Sequence, residues 1–189
     1  MIKVTLDTNV IPKNEVDAKV LDELAEKYQL EYAIVTVTER EASDGYFQVS
    51  FGKVTEQVVW GESPWGSSRW SGEAKLSEAA VLHEGVLGGM RLGNSPVVDI
   101  EFILTVIGNG SFPKIGKRGS LTAGQINQLR DAMILEAHIH HRRDILVSND
   151  LKAFIGNDGS KRTMFESTFR TRIMTYSEFL KAHGTLASS

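Results

Sequence analysis

The chain contains no cysteine among its 189 residues. Disulfide bonds, zinc sites built from thiolates and cysteine nucleophiles are therefore excluded. No apolar run approaches the ~18 residues of a membrane-spanning helix, and the chain does not begin with the pattern of a signal peptide. We therefore expect a cytoplasmic protein that does not associate with a membrane.

Neither sign of charge dominates, since the formal net charge is −3, but the charges are unevenly distributed along the chain. Residues 1–44 hold ten acidic and five basic side chains, whereas residues 110–175 hold six acidic and eleven basic ones. An acidic cluster beside a basic surface fits a metal site that acts on a polyanion. An inert surface with a dipole fits the same distribution equally well.

Hydrophobic periodicity predicts the elements of the first part of the chain. Alternating apolar residues predict a buried strand over 2–6, and apolar residues at helical spacing predict a helix over 15–29. A second strand is expected at 32–37. Thr38 and Glu41 have the spacing of a capping box, with Thr38 as N-cap, so a helix should begin at residue 38 or 39.

The last third of the chain shows the same alternation of strands and helices. Thr122 and Gln125 form a second capping-box pattern, which predicts a helix that runs to about His141. The further elements expected are a strand at 145–147, a short helix or turn at 151–154, a strand at 173–175 and a final helix capped by Ser177.

Residues 45–118 fit this alternation poorly, and we interpret them as a partly helical insertion. The stretch 60–70 is rich in glycine and serine and predicts a loop. Short helices are expected at 76–87 and 98–107, the second with Asp99 as N-cap. The basic segment 108–120 has the composition of turns.

The β-α-β-α order predicts an α/β fold, a doubly wound parallel sheet flanked by helices. We expect a single domain over 1–182 that contains the insertion, followed by a flexible tail at 183–189.

Acidic side chains follow two of the predicted strands. Asp7 comes directly after the first strand, and Asp150 follows the strand at 145–147. Each has an ordinary structural explanation as a helix cap or turn residue. The carboxyl ends of neighbouring parallel strands, however, lie only about 5 Å apart. Asp7 and Asp150 are therefore expected to converge at an edge where open α/β sheets place their active sites.

Two further acids are candidates for the same edge. Asp131 lies among apolar residues in the middle of a predicted helix, where propensity disfavours aspartate. Glu41 is already explained by its capping box, and Glu39 competes with it for the same role. Several carboxylates at close range repel one another unless a cation neutralises them. A magnesium or manganese ion would do so and would activate water for attack on a phosphate.

Several short segments of the chain resemble the PIN-domain nucleases. The resemblance lies in Leu6-Asp7-Thr8-Asn9-Val10, Thr38-x-x-Glu41, Asp131-Ala132-x-Ile134, Leu146-Val147-Ser148-Asn149-Asp150 and the segment 173–180. It covers about 2–44 and 121–182, and residues 45–118 have no counterpart that aligns. Each motif is short, and their order and spacing together carry the resemblance.

The resemblance implies a parallel sheet flanked by helices and hydrolysis of phosphodiester bonds, usually in RNA, with Mg²⁺ or Mn²⁺. The four acids of the family fall on Asp7, Glu41, Asp131 and Asp150, of which Asp7, Asp131 and Asp150 are expected to bind the metal directly. Thr8 or Asn9 and Ser148 or Asn149 are expected to support them.

Basic and aromatic side chains are candidates for contact with RNA, single-stranded or structured. The basic candidates are Lys114, Lys117, Arg118, Arg142 and Arg143. Trp60, Trp65 and Trp70 suit stacking on unpaired bases or, equally, anchoring of the insertion. His138, His140 and His141 are explained by the preference for cations at a helix C-terminus, with metal binding as the rarer alternative. Glu136 is expected to be solvated.

Three alternatives stay open at this level. Many members of the resembled family are toxins with a small antitoxin partner, and others act without one; a homodimer is also open. A PIN-like module that binds RNA or protein without turnover is the second reading. A phosphatase with an aspartate nucleophile is the third, but it needs a second aspartate where this chain has Asn9.

Overall fold

The computed structural model describes residues 1–35, 37–38, 52–54, 59–63, 66–69, 100–114, 117–118 and 121–184. The strands are β1 (Ile2–Leu6), β2 (Leu30–Val35), β3 (Gly52–Val54), β4 (Val59–Ser63), β5 (Gly66–Arg69), β6 (Ile145–Val147) and β7 (Arg172–Met174). The helices are α1 (Glu15–Tyr28), α2 (Ile100–Ile107), α3 (Ala123–His140), α4 (Ser160–Phe169) and α5 (Tyr176–His183).

Five strands form one sheet in the order β3-β2-β1-β6-β7, and every pairing in it is parallel. The chain runs outward from β1 through β2 to β3 and later returns to the other side of β1 with β6 and β7. The strand order therefore reverses between β1 and β6. In open α/β sheets this switch point leaves a crevice at the carboxyl ends of the strands, where ligands bind.

Each face of the sheet is covered by helices because the buried strand residues alternate between two cores. Val4 and Leu6 of β1 pack in the core that includes α1 and α5. Residues of the neighbouring strands that point the other way, such as Val35 and Leu146, pack against α2, α3 and α4. The α/β class and the parallel sheet flanked by helices are confirmed, and the arrangement is compatible with a doubly wound fold.

The elements closest to the carboxyl edge of β1 and β6 agree with their predicted bounds. β1 and β6 match the predicted strands residue for residue, and α3 ends one residue before the expected position. Both hydrogen bonds of the Thr122 and Gln125 capping box are present.

Several expectations for the middle of the chain were wrong or fall outside the described residues. The stretch expected to be a loop at 60–70 contains β4 and β5, which pair as an antiparallel hairpin. β3 belongs to the main sheet, although its residues were assigned to the insertion. The helix at 76–87 and Asp99 lie outside the described residues.

Three corrections concern helix starts. Val37 and Thr38 are already helical, so Thr38 is not the N-cap expected there. The cap of α5 is Thr175 rather than Ser177, because Thr175 accepts a hydrogen bond from the Glu178 backbone N–H and Glu178 returns one to the backbone of Thr175. The helix α4 was not predicted at all.

Among the helices that the structure describes, none combines the length and apolar character that crossing a membrane would require.

Candidate active site

Asp7 is the buried acid at the carboxyl end of the central strand. Its side chain is only 3% exposed. One carboxylate oxygen accepts a hydrogen bond from the Thr8 backbone N–H at 2.7 Å, and the other accepts from Asn9 Nδ2 at 2.8 Å and from Ser148 Oγ at 2.5 Å. A buried carboxylate that accepts several hydrogen bonds is stabilised in its charged form. Asp7 is thus both the cap predicted by its position and a member of a polar network.

The same network ties β1 to the segment that follows β6. Ser148 Oγ, which donates to Asp7, also accepts from the Asp150 backbone N–H at 3.0 Å. Asn9 Oδ1 accepts from the Asn149 backbone N–H at 2.8 Å, and Asn149 Oδ1 accepts from the Tyr176 backbone N–H at 3.1 Å. The strand ends that form the switch point are therefore joined by side chains in addition to the backbone hydrogen bond from the Asp7 N–H to the carbonyl of Val147.

Asp150 lies two residues after Ser148, and its side chain makes a contact of its own. Its Oδ1 accepts from the Ala153 backbone N–H at 2.8 Å, which caps the single π-helical turn Leu151–Ile155. The turn ends at Gly156, which has φ +78° and donates its N–H to the carbonyl of Leu151. The short helix or turn expected here is present. Asp150 is half-buried and retains a second carboxylate oxygen for other contacts.

The helix α3 brings Asp131 to the same side of the sheet as Asp7 and Asp150. His138, seven residues after Asp131 on the same helix, hydrogen-bonds through Nδ1 with Thr5 Oγ1 at 2.9 Å. The helix leads into β6, which runs parallel to β1, so the helix itself runs back from the carboxyl edge of the sheet towards the amino edge. A step of seven residues spans about two helical turns and returns to nearly the same face. Thr5 lies two residues before Asp7, so Asp131 lies towards the carboxyl edge of β1.

A cleft of about 780 Å³ opens at this edge. Its lining comes from the loop after α2, from the first turns of α3 and from the segment 150–161. The lining includes the carboxylates of Asp131 and Asp150 and the amides of Asn109, Asn127 and Gln128. A cavity of this size suits a small molecule or a few groups of a polymer.

Lys161 supplies a cation to the wall of this cleft. Its Nζ donates to the carbonyl oxygens of Ile107 and Lys152, both at 2.8 Å. Partial burial lowers the pKa of Lys161 below its usual value, and the nearby charges of Asp150 and Asp131 oppose that shift. The sequence offered no motif that would single out this lysine.

The predicted acids converge only in part. Asp131 and Asp150 line the same cleft, whereas Asp7 is joined to Asp150 indirectly, through Ser148. Within the described ranges, no three carboxylate or histidine side chains are grouped closely enough to hold one metal ion. Glu41 and its competitor Glu39 lie outside those ranges.

The donor atoms at this edge nevertheless fit a hard divalent cation. Asp131 and Asp150 offer carboxylate oxygens, and Asn127 and Gln128 add amide oxygens within the same cleft. One of these, Gln128 Oε1, is buried and has no hydrogen-bond partner among the described residues. Magnesium and manganese prefer such oxygen ligands.

Comparisons with protein-family models, with curated proteins and with solved structures found no match to this chain. Function is therefore inferred from the chemistry of the site itself, because a fold alone does not fix it.

Two of the basic residues predicted to contact RNA are buried in ion pairs. Arg118 is 2% exposed and forms a bidentate salt bridge with Glu101, while its Nε donates to the Pro113 carbonyl. Arg143 pairs with Glu31 and donates to the carbonyls of Val4 and Glu31. Both guanidinium groups are engaged by protein groups in this structure, and their contact with RNA stays a prediction.

The other three basic candidates are exposed but do not line the cleft. Lys114 and Lys117 follow the loop after α2. Arg142 follows the C-terminus of α3, at the end of the sheet opposite to Asp7.

Among the tryptophans, Trp65 and Trp70 lie outside the described residues, and only the backbone of Trp60 is described.

His138 and Glu136 are buried, contrary to expectation. The two ring nitrogens of His138 hydrogen-bond with Thr5 Oγ1 and Thr171 Oγ1, which leaves no nitrogen for a metal. Burial, and to a smaller extent the charge of Arg143, lowers the pKa of His138 to about 3. The imidazole is therefore neutral and does not serve as a cation at the helix end.

Proposed function

We propose that this protein is a metal-dependent phosphodiester hydrolase of the PIN-like type, with RNA as its substrate and Mg²⁺ or Mn²⁺ as its cofactor. The observation that carries the proposal is the pair of carboxylates, Asp131 and Asp150, in one cleft beside the segment that follows β6, one of the two strands at the switch point. Asp7 is coupled to this pair through Ser148.

Asp131 and Asp150 would hold the metal. Asp7, which was expected to bind it directly, is not grouped closely enough with these two acids and would act on Asp150 through Ser148. Glu41 remains the fourth acid of the proposal. When bound, the metal supplies an activated water and stabilises the charge that develops on the phosphate. The exclusively oxygen donors of the cleft agree with this chemistry. No histidine or thiol in the described site would favour zinc instead.

The residues around the carboxylates have positioning roles. Ser148 donates to Asp7 and accepts from the backbone of Asp150, so it fixes the spacing between the two acids. Asn9 holds the backbone of Asn149, and Asn149 holds the start of α5. Such a network keeps the acids in one geometry before the substrate binds, and catalysis by positioned charges depends on this preorganisation.

The cleft combines carboxylates for a metal with a cation and several amides, which suits a nucleic-acid strand, and the PIN-like resemblance makes RNA the proposed substrate. Asn109, Asn127 and Gln128 present donors and acceptors that suit the edges of unpaired bases. A protein antitoxin, a homodimer and a cytoplasmic location are compatible with this function and stay proposals.

The test is an incubation with matched panels of RNA and DNA oligonucleotides in Mg²⁺ and in Mn²⁺. We expect wild-type protein to cleave RNA and the Asp131→Asn variant to lose cleavage by on the order of 10³-fold, because metal-assisted charge stabilisation is worth several kcal/mol. Asp22→Asn is the matched control, since Asp22 is exposed on α1 on the other face of the sheet.

A second measurement separates the nuclease from a module that binds RNA without turnover. Calorimetric titration with Mn²⁺ should show binding to the wild type and weaker binding to Asp131→Asn. Full cleavage by pure Asp131→Asn protein would refute the nuclease assignment. RNA binding with neither cleavage nor Mn²⁺ binding would support the binding module, for which the lack of a three-ligand group among the described residues is the observation in favour.

A further inference from the structure

Lys161 is a charged group of the cleft that the metal chemistry does not use. It lies in the first turn of α4, and its aliphatic stem packs against Gly156, where an added Cβ would approach Lys161 Cγ to 3.3 Å. The carbonyls of Ile107 and Lys152 fix its ammonium group at the end of this stem. The charge is therefore held in one place rather than on a freely moving side chain.

The ammonium group is not saturated by these contacts. An ammonium has three N–H donors, and two of them are directed at the carbonyls. The ion pairs found among the described residues do not include Lys161. Asp150 and Asp131 influence it electrostatically without forming an ion pair with it. One donor and most of the positive charge are thus available within the cleft.

The contact with Ile107 has a structural explanation, because Ile107 ends α2 and a cation is favoured at the C-terminus of a helix. The two carbonyl contacts fix where the ammonium group lies, but they use only two of its three N–H donors. Asp131 and Asp150 act on its charge without pairing with it at ion-pair distance, and in the proposed function they would be neutralised by the metal. A phosphate that enters the cleft would be the anion within reach of the remaining N–H.

We propose that Lys161 binds a backbone phosphate of the RNA substrate, beside the phosphate that Asp131 and Asp150 would act on. This inference rests on the proposed nuclease function and adds a substrate-binding residue to it. The third N–H of Lys161 donates to a phosphate oxygen, and its fixed position sets where the RNA backbone enters the cleft.

The experiment measures binding of a fluorescent single-stranded RNA by anisotropy in Ca²⁺, which takes the same oxygen ligands as Mg²⁺ and is used here to limit cleavage. The variants are Lys161→Gln, Lys161→Met and Lys161→Arg. We expect the first two to weaken RNA binding about tenfold, as for the loss of one charge-assisted hydrogen bond. Lys161→Arg should bind within about threefold of wild type, because the positive charge is retained.

The salt dependence distinguishes a phosphate contact from a merely structural role. Loss of one phosphate contact lowers the slope of log K against log salt by about 0.7 for a single strand. A lysine that only braces the cleft would change the unfolding temperature without changing this slope. Lys161→Met keeps the stem that packs on Gly156, so it provides the binding result if Lys161→Gln folds poorly.

Lys19→Gln is the control for net charge, because Lys19 is exposed on α1 on the opposite face of the sheet. It should leave both affinity and slope unchanged. Equal affinity and slope for wild type, Lys161→Gln and Lys161→Met would overturn the role of Lys161 while leaving cleavage intact. An effect of Lys19→Gln as large as that of Lys161→Gln would overturn it as well. Failure of the wild-type protein to bind RNA would overturn the proposed function together with this inference.

Discussion

The buried charge at the carboxyl edge of the sheet is Asp7, and the buried charge nearest the amino edge is Arg143. Both side chains are less than a tenth exposed. Arg143 is surrounded by groups of the sheet itself, since it contacts Glu31 and the carbonyl of Val4. Asp7 instead accepts hydrogen bonds from the side chains of Asn9 and Ser148. Ser148 in turn accepts one from the backbone of Asp150, which lines the cleft.

The two buried charges differ in what surrounds them. Arg143 donates to backbone carbonyls of two neighbouring strands, and its charge is matched by the carboxylate of Glu31. The network of Asp7 ends at a cavity, where the carboxylate of Asp150 still has room for a ligand. Burial of a charged group is common to both, so burial alone does not indicate function. The open end of the network is the feature on which the proposed function rests.

The largest expected effect tests the amino edge. Arg143→Met should lower the free energy of unfolding by about 2–4 kcal/mol, because the carbonyls of Val4 and Glu31 lose a charged donor and Glu31 loses its partner. The estimate lies below that for a fully buried pair because the Glu31 side chain is 38% exposed. Urea denaturation measures the change. Arg142→Met is the matched control. Arg142 is the neighbouring residue and its side chain is exposed, so this substitution should lower the free energy of unfolding by less than about 0.5 kcal/mol.

The next effect concerns His138, a residue of α3 whose ring hydrogen-bonds with Thr5 of β1 and with Thr171. Its pKa is lowered to about 3, so between pH 6.5 and 3 the unfolded chain binds a proton that the native state does not. Stability should therefore fall as the pH is lowered through this window, by at most about 1.4 kcal/mol per pH unit.

The measurement is urea denaturation of wild type and His138→Gln at several pH values between 4 and 7. The variant should be less stable at pH 7 and should lack this contribution to the pH dependence. His141→Gln serves as the control, because the side chain of His141 is half-buried rather than buried. Identical pH slopes for wild type and His138→Gln would mean that the buried imidazole is not held neutral.

A smaller effect compares two acids of the carboxyl edge. Asp7→Asn replaces an acceptor of three hydrogen bonds with a group that must also donate, and it should cost about 1–3 kcal/mol. Asp150→Asn keeps a carbonyl oxygen for the Ala153 N–H and should stay within about 0.5 kcal/mol of wild type. Thermal unfolding of the two variants measures the difference. Equal losses would show that the network does not distinguish Asp7 from Asp150.

The smallest effect tests the helix start that Asn149 holds at the carboxyl edge. Thr175→Ala should cost about 1 kcal/mol, because it removes the N-cap of α5. Ser177→Ala should cost less than about 0.5 kcal/mol, since Ser177 is exposed in the first turn. Chemical denaturation of both proteins gives the comparison. The reverse order of the two losses would restore Ser177 as the cap.

Much of the parallel sheet was predictable because local signals and tertiary structure agree there. β1, α1, α3 and β6 have strong hydrophobic periodicity or a complete capping box, and their observed bounds differ little from the predicted ones. The hairpin of β4 and β5 was not predictable, because glycine and serine favour loops on local grounds. The helix α4 was missed although Phe165 and Phe169 have helical spacing, since a single apolar pair is a weak signal.

The candidate site was predictable only as a set of acids. Asp131 and Asp150 lie in the same cleft, as the order of the elements suggested. The lysine that lines this cleft could not be selected from eleven basic residues between 110 and 175. Arg118 and Arg143 looked equivalent to it in the sequence, but each is buried against a carboxylate contributed by a distant segment.

The α/β alternation, the strand ends that carry Asp7 and Asp150, and the absence of cysteine chemistry follow from residue type and from spacing along the chain. Which charges face a cleft and which are buried in the core depends instead on how the chain folds. Burial and pairing need partners that are far apart in sequence, as Arg143 and Glu31, or Lys161 and Ile107, demonstrate.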